Sequence, residues 1–223
     1  MNLRCVHASQ VNTNSDVSMG FDAFYANTAD NIFTLCDGAN SCLGSGLAAQ
    51  WLSETFAQAD PRTLEDQLQV NHAQLCALFP ETGSTLVRVH VNQDGLELAS
   101  LGDSFLWLFQ KSWGGWAPWQ CIESMPRDID ALGHPTQMVG SEVCERLHIR
   151  RHPPQGRYCA VLMSDGPGLT ISEKQLQQRV SVIGREQPNQ NDLVYLCHSL
   201  ALEAVTKGCR DDISVAMVWA HYQ

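Results

Sequence analysis

Four aspartates in this sequence stand directly beside a run of apolar residues that is typical of a β-strand. They are Asp37 after IFTLC, Asp103 after LELASLG, Asp165 after AVLMS, and Asp211 just before ISVAMVW. Three of them have a glycine neighbour, which permits a tight turn and the close approach of a ligand to the backbone. A fifth aspartate, Asp16, lies just before another strand-like segment and could join the group.

Several carboxylates gathered at strand ends would repel each other unless a cation held them together. Hard divalent cations such as Mg²⁺ and Mn²⁺ take oxygen ligands and keep several waters. Two such ions about 3.5–4 Å apart can convert a bridging water into a hydroxide that attacks an ester phosphorus in line. A single Asp-Gly pair is more often an ordinary turn. The recurrence of the pattern after apolar strands therefore favours a metal site that could hydrolyse phosphate esters.

The elements that must position these aspartates follow from the spacing of the apolar residues. Strands are predicted at residues 3–7, 19–25, 31–36, 84–91, 96–110 (interrupted at 102–103), 143–151, 158–163 and 213–219. Helices are predicted at 47–56, 64–78, 172–182 and 192–206, and an irregular loop at 122–141. Runs of strands followed by runs of helices indicate one α+β domain over residues 1–223, with mostly antiparallel sheets and the helices outside.

Charge and composition exclude several classes of protein. The chain has 223 residues and a formal net charge of −10 at pH 7. Nucleic acids and anionic membranes demand a basic face, so neither is expected as a partner. No apolar run approaches the roughly 20 residues of a membrane span, and the N-terminal residues lack the apolar core of a signal peptide. Nine cysteines without a CxxC pair indicate reduced thiols, and hence a cytoplasmic protein.

An ordered set of short motifs resembles the metal-dependent serine/threonine protein phosphatases of type 2C, in their bacterial, single-domain form. The motifs are NSD (14–16), CDG (36–38), GST (83–85), LGDS (101–104), SDG (164–166) and DDISV (211–215). The likeness covers residues 9 to 218, nearly the whole chain. It implies a four-layer αββα sandwich of two mainly antiparallel sheets flanked by helix pairs, in agreement with the α+β prediction.

The resemblance also implies a set of site residues and a reaction. Two or three Mg²⁺ or Mn²⁺ ions are expected. The matching ligands are Asp37, which bridges the ions, the carbonyl of Gly38, Asp165, Asp211, Asp103 for a third and weaker ion, and Asp16, which holds metal-bound water. Asp16 and Asp37 are thus the expected catalytic residues. The implied reaction is hydrolysis of phosphoserine or phosphothreonine without a phosphoenzyme, opposing a serine/threonine kinase.

The residues that would contact the substrate phosphate depart from the family pattern. The family's phosphate-binding arginine falls at Val11 in this sequence. Valine cannot replace bidentate recognition of phosphate by a guanidinium. Another arginine could take its place, and the candidates are Arg4, Arg127 and Arg210. His134, within an Ala-Leu-Gly segment similar to one in the family, is a further candidate for contact with substrate, beside Arg210.

Two other functions remain open from the sequence. Val11 and Leu169, the latter at a position where the family often has an aspartate, are compatible with a degenerate phosphatase fold. Such a chain would serve as a binding or regulatory module with little or no turnover. The other alternative keeps the hydrolytic activity but directs it at a small phosphorylated metabolite in place of a phosphoprotein.

Overall fold

The structure is a computed structural model that describes residues 3–12, 20–39, 43–111, 118–183 and 187–223. Over these residues the chain forms two antiparallel sheets and five α-helices, which confirms the α+β prediction. The strands are β1 (Leu3–Gln10), β2 (Asp22–Asn27), β3 (Ile32–Ala39), β4 (Gly83–Ser84), β5 (Leu86–Asn92), β6 (Gly95–Leu101), β7 (Phe105–Lys111), β8 (Gln120–Ser124), β9 (His148–His152), β10 (Gly156–Met163) and β11 (Val215–Tyr222). The helices are α1 (Leu43–Ala57), α2 (Leu64–Leu78), α3 (Asp165–Thr170), α4 (Glu173–Ile183) and α5 (Gln190–Thr206).

The two sheets pack face to face, with helices on both outer sides. The first sheet has the order β1-β11-β10-β7-β8, and the second has the order β2-β3-β5-β6-β9, with β4 beside β3. Val89 and Val218 belong to the core between the sheets. Leu52 of α1 packs in the core outside the second sheet, and Leu200 of α5 packs with Trp219 outside the first. Three cores separate four layers, so the predicted αββα sandwich is confirmed.

Alternation along the strands explains how one sequence serves two cores. On β5, Val87, Val89 and Val91 face the core between the sheets, while Leu86 packs on the helical side. Successive side chains point to opposite faces of a strand, so this alternation fixes which face each sheet turns inward. The start of α5 is also determined by neighbouring residues. Asn189 caps the helix, and its side chain accepts a hydrogen bond from the Asp192 amide at 3.2 Å.

The segment predicted as one interrupted strand, 96–110, is divided between the two sheets. β6 pairs with β5 in the second sheet, and β7 pairs with β10 in the first. The chain crosses between them at Gly102, whose φ is +94°. A side chain there would come within 2.8 Å of Thr85 Cγ2, so glycine is required both by the backbone angle and by the space. This crossing carries Asp103 to the end of the sandwich.

Other segments also differ from the prediction, and α3 (Asp165–Thr170) lies where no helix was predicted. β8 lies where a loop was expected, and its alternating, half-exposed residues are those of an edge strand. The strand predicted over 143–151 begins only at His148. The amides of Glu145 and Arg146 donate to Gln137 Oε1 at 3.0 and 3.4 Å, so a side chain of the preceding loop occupies donors that a strand would use. None of the helices in the described part of the chain has the length and hydropathy needed to cross a bilayer.

Candidate metal centre

The acidic strand ends of both sheets open on one cavity of about 270 Å³ at one end of the sandwich. The cavity collects the end of β3, the turn between β6 and β7, the start of α3 and the segment before β11. Its lining residues are Phe21, Asp37, Gly38, Ala39, Thr85, Asp103, Pro135, Met138, Asp165, Asp211 and Asp212. Five acidic side chains thus face one cavity, although they are far apart in the sequence.

The backbone of Asp37 is fixed by the GST motif of β4. The Asp37 amide donates to Thr85 Oγ1 at 3.1 Å, and its carbonyl accepts from the Thr85 amide at 2.9 Å. The same carbonyl accepts from the Ser84 hydroxyl at 3.1 Å. Because these bonds satisfy the main chain, the carboxylate is left to the cavity. The two motifs, CDG and GST, therefore act together to position one ligand.

Gly38 stands where two backbone segments meet. Its amide donates to the Phe21 carbonyl at 3.0 Å, and a Cβ at this position would lie within 2.7 Å of that oxygen. The Ser45 carbonyl of α1 crowds the same point. Only glycine fits between β2 and α1 here. Because Gly38 has no side chain, its backbone lines the cavity directly.

A clasp between β10 and β11 brings the next two ligands together. The Ser164 amide donates to the Ser214 carbonyl, and the Ser214 amide donates to Ser164 Oγ, both at 3.1 Å. Ser164 Oγ also donates to the Asp212 carbonyl at 3.3 Å. The residue after Ser164 is Asp165, at the first turn of α3, and the residue before Asp212 is Asp211. The SDG and DDISV motifs thereby meet across the end of the first sheet.

The structure brings together five of the six site residues that the resemblance implied, namely Asp37, Gly38, Asp103, Asp165 and Asp211. Asp103 is buried in the turn after Gly102, where Thr85 Oγ1 and Ser104 Oγ share a hydrogen bond at 2.7 Å. The sixth, Asp16, lies outside the described residues, so its role stays a prediction.

Asp22 is a member of this acidic group that the sequence analysis missed. It lies opposite Asp37 in the β2–β3 pair, is only 5% exposed, and neither carboxylate oxygen makes a well-formed hydrogen bond. Asn12 holds its backbone: its Nδ2 donates to the Asp22 carbonyl, and its Oδ1 accepts from the Asp22 amide. A usable signal was present, because a lone carboxylate between Phe21 and Ala23 in a half-buried strand needs a buried partner.

Burial and mutual repulsion raise the pKa values of the central carboxylates. Burial raises the pKa of Asp22 to about 6, although the hydroxyls of Ser214 and Ser164 oppose the rise. Burial, followed by the charge of Asp211, raises the pKa of Asp165 to about 7. The pKa of Asp37 lies well above its usual range because of burial and then the charges of Asp22 and Asp165. Without a cation, the cluster favours bound protons.

These donors fit a hard divalent cation. Among the described residues, every ionisable side chain that lines the cavity is a carboxylate. Mg²⁺ and Mn²⁺ prefer such oxygen ligands, whereas zinc sites usually include Cys or His. Among the residues that the structure describes, no three His, Cys, Asp or Glu side chains converge closely enough to enclose an ion by themselves. Ions that keep several waters do not need such a cage. The carboxylate of Asp22, which lies opposite Asp37 and makes no well-formed hydrogen bond, would supply additional negative charge next to the cavity when ionised.

The candidate substrate-binding residues occupy different places. His134 is exposed and its Nδ1 lies 3.6 Å from Asp130 Oδ2, although the next residue, Pro135, lines the cavity. Arg210 is exposed beside Asp211. Arg4 lies near the opposite end of β1, where it donates to Gln187 and to the Pro188 carbonyl. The guanidinium of Arg127 stacks on Phe105, next to the Asp103 turn.

Addition of Mn²⁺ should raise the melting temperature, and the rise should be larger at pH 7.5 than at pH 5.5. The folded-state pKa values of Asp22 and Asp165 lie above their ordinary value of 3.8, so the stability they contribute is full at low pH. That contribution is lost as the pH rises through about 6 and about 7. At an ion concentration of about 100 Kd, binding stabilises by about 2.7 kcal/mol, or roughly 5–10 °C here.

Thermal melts at both pH values, with Mn²⁺ or with a chelator, check this expectation. The ion-free protein should melt at a lower temperature at pH 7.5 than at pH 5.5. An equal melting temperature with and without Mn²⁺ at pH 7.5 would show that the carboxylates do not bind the ion.

Comparison with known proteins supports the fold. No family model matches the sequence, and no curated protein matches it either. Solved structures do match. The catalytic domain of the serine/threonine phosphatase PstP, in complex with two manganese ions, has a TM-score of 0.77 at 16% identity and covers 99% of this chain and 100% of that chain. PppA, a key regulatory component of T6SS in Pseudomonas aeruginosa, has a TM-score of 0.74 at 20% sequence identity. The match covers 98% of this chain and 97% of PppA. The Mycobacterium tuberculosis serine/threonine phosphatase PstP/Ppp has a TM-score of 0.71 at 18% sequence identity, and the match covers 99% of each chain. This chain therefore has the fold of bacterial type 2C phosphatase catalytic domains.

Proposed function

We propose that this chain is a Mg²⁺- or Mn²⁺-dependent phosphatase that hydrolyses phosphoserine and phosphothreonine in proteins. The observation that carries the proposal is the cavity lined by Asp37, Asp103, Asp165 and Asp211, in which the ionisable side chains of the described residues are all carboxylates. Bound divalent ions would polarise a phosphate ester and lower the pKa of a coordinated water. The structural neighbours with phosphatase names, one of them with two manganese ions, support the same reaction.

The chain's own residues have three tasks in this proposal. Asp37, Asp165 and Asp211 would hold the ions, and Asp22, opposite Asp37, would add negative charge. The Ser84 hydroxyl donates to the Asp37 carbonyl and the Asp37 amide donates to the Thr85 hydroxyl, so the main chain that carries this carboxylate is held in place. A rigid ligand set lowers the cost of organising charge around the reacting phosphate. Its proposed partners are a phosphoprotein substrate and an opposing serine/threonine kinase, in the cytoplasm.

The test is hydrolysis by the purified chain with Mn²⁺, compared with the same protein in chelator. p-Nitrophenyl phosphate and a phosphothreonine peptide should both be cleaved, with a turnover roughly 100-fold or more above the chelated sample. Comparing kcat/KM for the peptide with that for small phosphorylated metabolites decides between the protein and metabolite substrates. A rate that Mn²⁺ does not change would contradict the proposal.

A binding module without turnover is the second candidate function. The cavity lining contains no cationic side chain among the described residues, and the position of the family's phosphate-binding arginine is Val11. The naming of PppA as a regulatory component is compatible with either function. Calorimetry with a candidate protein partner separates them, because a module would bind in chelator and leave a phosphopeptide intact.

A further inference from the structure

Arg127 is an arginine whose hydrogen-bonding capacity is unused in the structure. Its guanidinium carbon lies 4.0 Å from the centre of the Phe105 ring, and that ring stacks on Trp107 at 4.8 Å. The guanidinium makes no hydrogen bond or ion pair with any residue in the described part of the chain. Stacking uses the face of the guanidinium plane and leaves the N–H edge available.

The backbone next to Arg127 is tied to the Asp103 turn. The amide of Asp128 donates to the Gly102 carbonyl at 2.8 Å, and the Gly102 amide donates to Asp128 Oδ2 at 2.9 Å. The other oxygen, Asp128 Oδ1, lies 2.7 Å from His148 Nε2. This clasp holds the backbone next to Arg127 at the Asp103 turn, and the positive charge of Arg127 opposes the rise that burial causes in the pKa of Asp103.

A phosphate group that enters this cavity meets carboxylates and needs a cation that is not already paired. Arg4 donates to Gln187 and Pro188 far from the cavity, and His134 pairs with Asp130. Arg210 is exposed. Arg127 alone among these candidates is half-buried, held in place by a ring, and in electrostatic contact with a carboxylate of the cavity.

We infer that Arg127 binds the phosphate group of the substrate through its free N–H edge. This inference rests on the proposed function, because it names the substrate contact of that same site. A planar fork of N–H donors matches two phosphate oxygens, and charged hydrogen bonds of this kind contribute more than neutral ones. The stack on Phe105 keeps the fork in one orientation, which lowers the entropy lost when it binds.

The alternative is that Arg127 only neutralises Asp103. Phosphate binding distinguishes the two roles. We would titrate the Mn²⁺-loaded protein with inorganic phosphate by calorimetry and, in parallel, measure kcat and KM for p-nitrophenyl phosphate. The variants are Arg127→Met, Arg127→Lys, the rival Arg210→Met, and Arg150→Met as a matched control, since Arg150 lies on β9 beside Glu123.

Arg127→Met should weaken phosphate binding and raise KM by about 10- to 100-fold, the effect of losing charged hydrogen bonds. Arg127→Lys should recover part of this loss, because the charge remains but the fork does not. Mn²⁺ affinity should not fall, because removing a positive charge beside Asp103 does not weaken the attraction of the carboxylates for a cation, and Arg150→Met should bind phosphate like the wild type.

Three results would overturn the inference: unchanged phosphate affinity in Arg127→Met, a loss matched by weaker Mn²⁺ binding, or a larger loss in Arg210→Met. The titration does not depend on turnover. Phosphate binding through Arg127 without hydrolysis would reject the proposed function and keep this inference. If the wild type hydrolyses the substrate and Arg127→Met has unchanged phosphate affinity and KM, the proposed function stands and this inference is rejected.

Discussion

Asp37→Asn should reduce Mn²⁺-dependent hydrolysis of p-nitrophenyl phosphate about a thousandfold or more. Asp37 stands at the centre of the acidic group, between Asp22 across the strand pair and Asp165 across the cavity. An amide oxygen is a weaker ligand than a carboxylate and carries no charge to balance a divalent ion. Losing several kcal/mol of metal-dependent stabilisation of the transition state corresponds to roughly a thousandfold in rate.

The fold should survive this substitution, which makes the loss of activity interpretable. Burial and its acidic neighbours raise the pKa of Asp37, so the uncharged amide resembles the protonated form that the ion-free cluster favours. In chelator at pH 7.5, Asp37→Asn should melt at or above the wild-type temperature. Asp94→Asn, in the distant and exposed β5–β6 turn, is the matched control and should keep full activity. Retention of Mn²⁺-dependent activity by Asp37→Asn would remove Asp37 from the site.

Asp22→Asn should weaken Mn²⁺ binding and lower activity by about 10- to 100-fold, the usual effect of changing a group that supports a metal ligand. The carboxylate of Asp22 is nearly fully buried without a well-formed hydrogen bond, and burial raises its pKa to about 6. Structure alone gives no other reason to keep a charge at this position. The ion-free variant should therefore be more stable than the wild type at pH 7.5.

Asp16→Asn is the direct comparison, because the resemblance assigned the N-terminal acidic role to Asp16. Calorimetric titration with Mn²⁺ and activity measurements on both variants decide between the two aspartates. If Asp22 carries the role, its variant should show the larger loss. A full loss in Asp16→Asn with wild-type metal affinity in Asp22→Asn would return the role to Asp16 and leave Asp22 as a buried acid that only costs stability.

The elements that were predicted best are those whose sequence pattern depends only on neighbouring residues. α2 was predicted with its observed ends, Leu64 and Leu78, because a helical stripe of leucines is a property of adjacent turns. The aspartates near strand ends, Asp37 in β3 and Asp165 after β10, were found for the same reason, although β3 continues beyond its predicted end at Cys36 to Ala39. β8 was missed, since a short edge strand with half-exposed side chains has no strong apolar alternation.

The sequence by itself determined most of the strands and helices, and that several aspartates lie at or near strand ends, since both depend on neighbouring residues. Only the tertiary structure decided that β6 and β7 belong to different sheets, that Asp22 lies opposite Asp37, and that Arg127 stacks beside the Asp103 turn. These are contacts between distant parts of the chain. They depend on which sheet faces are buried against each other, and periodicity within a segment cannot encode that choice.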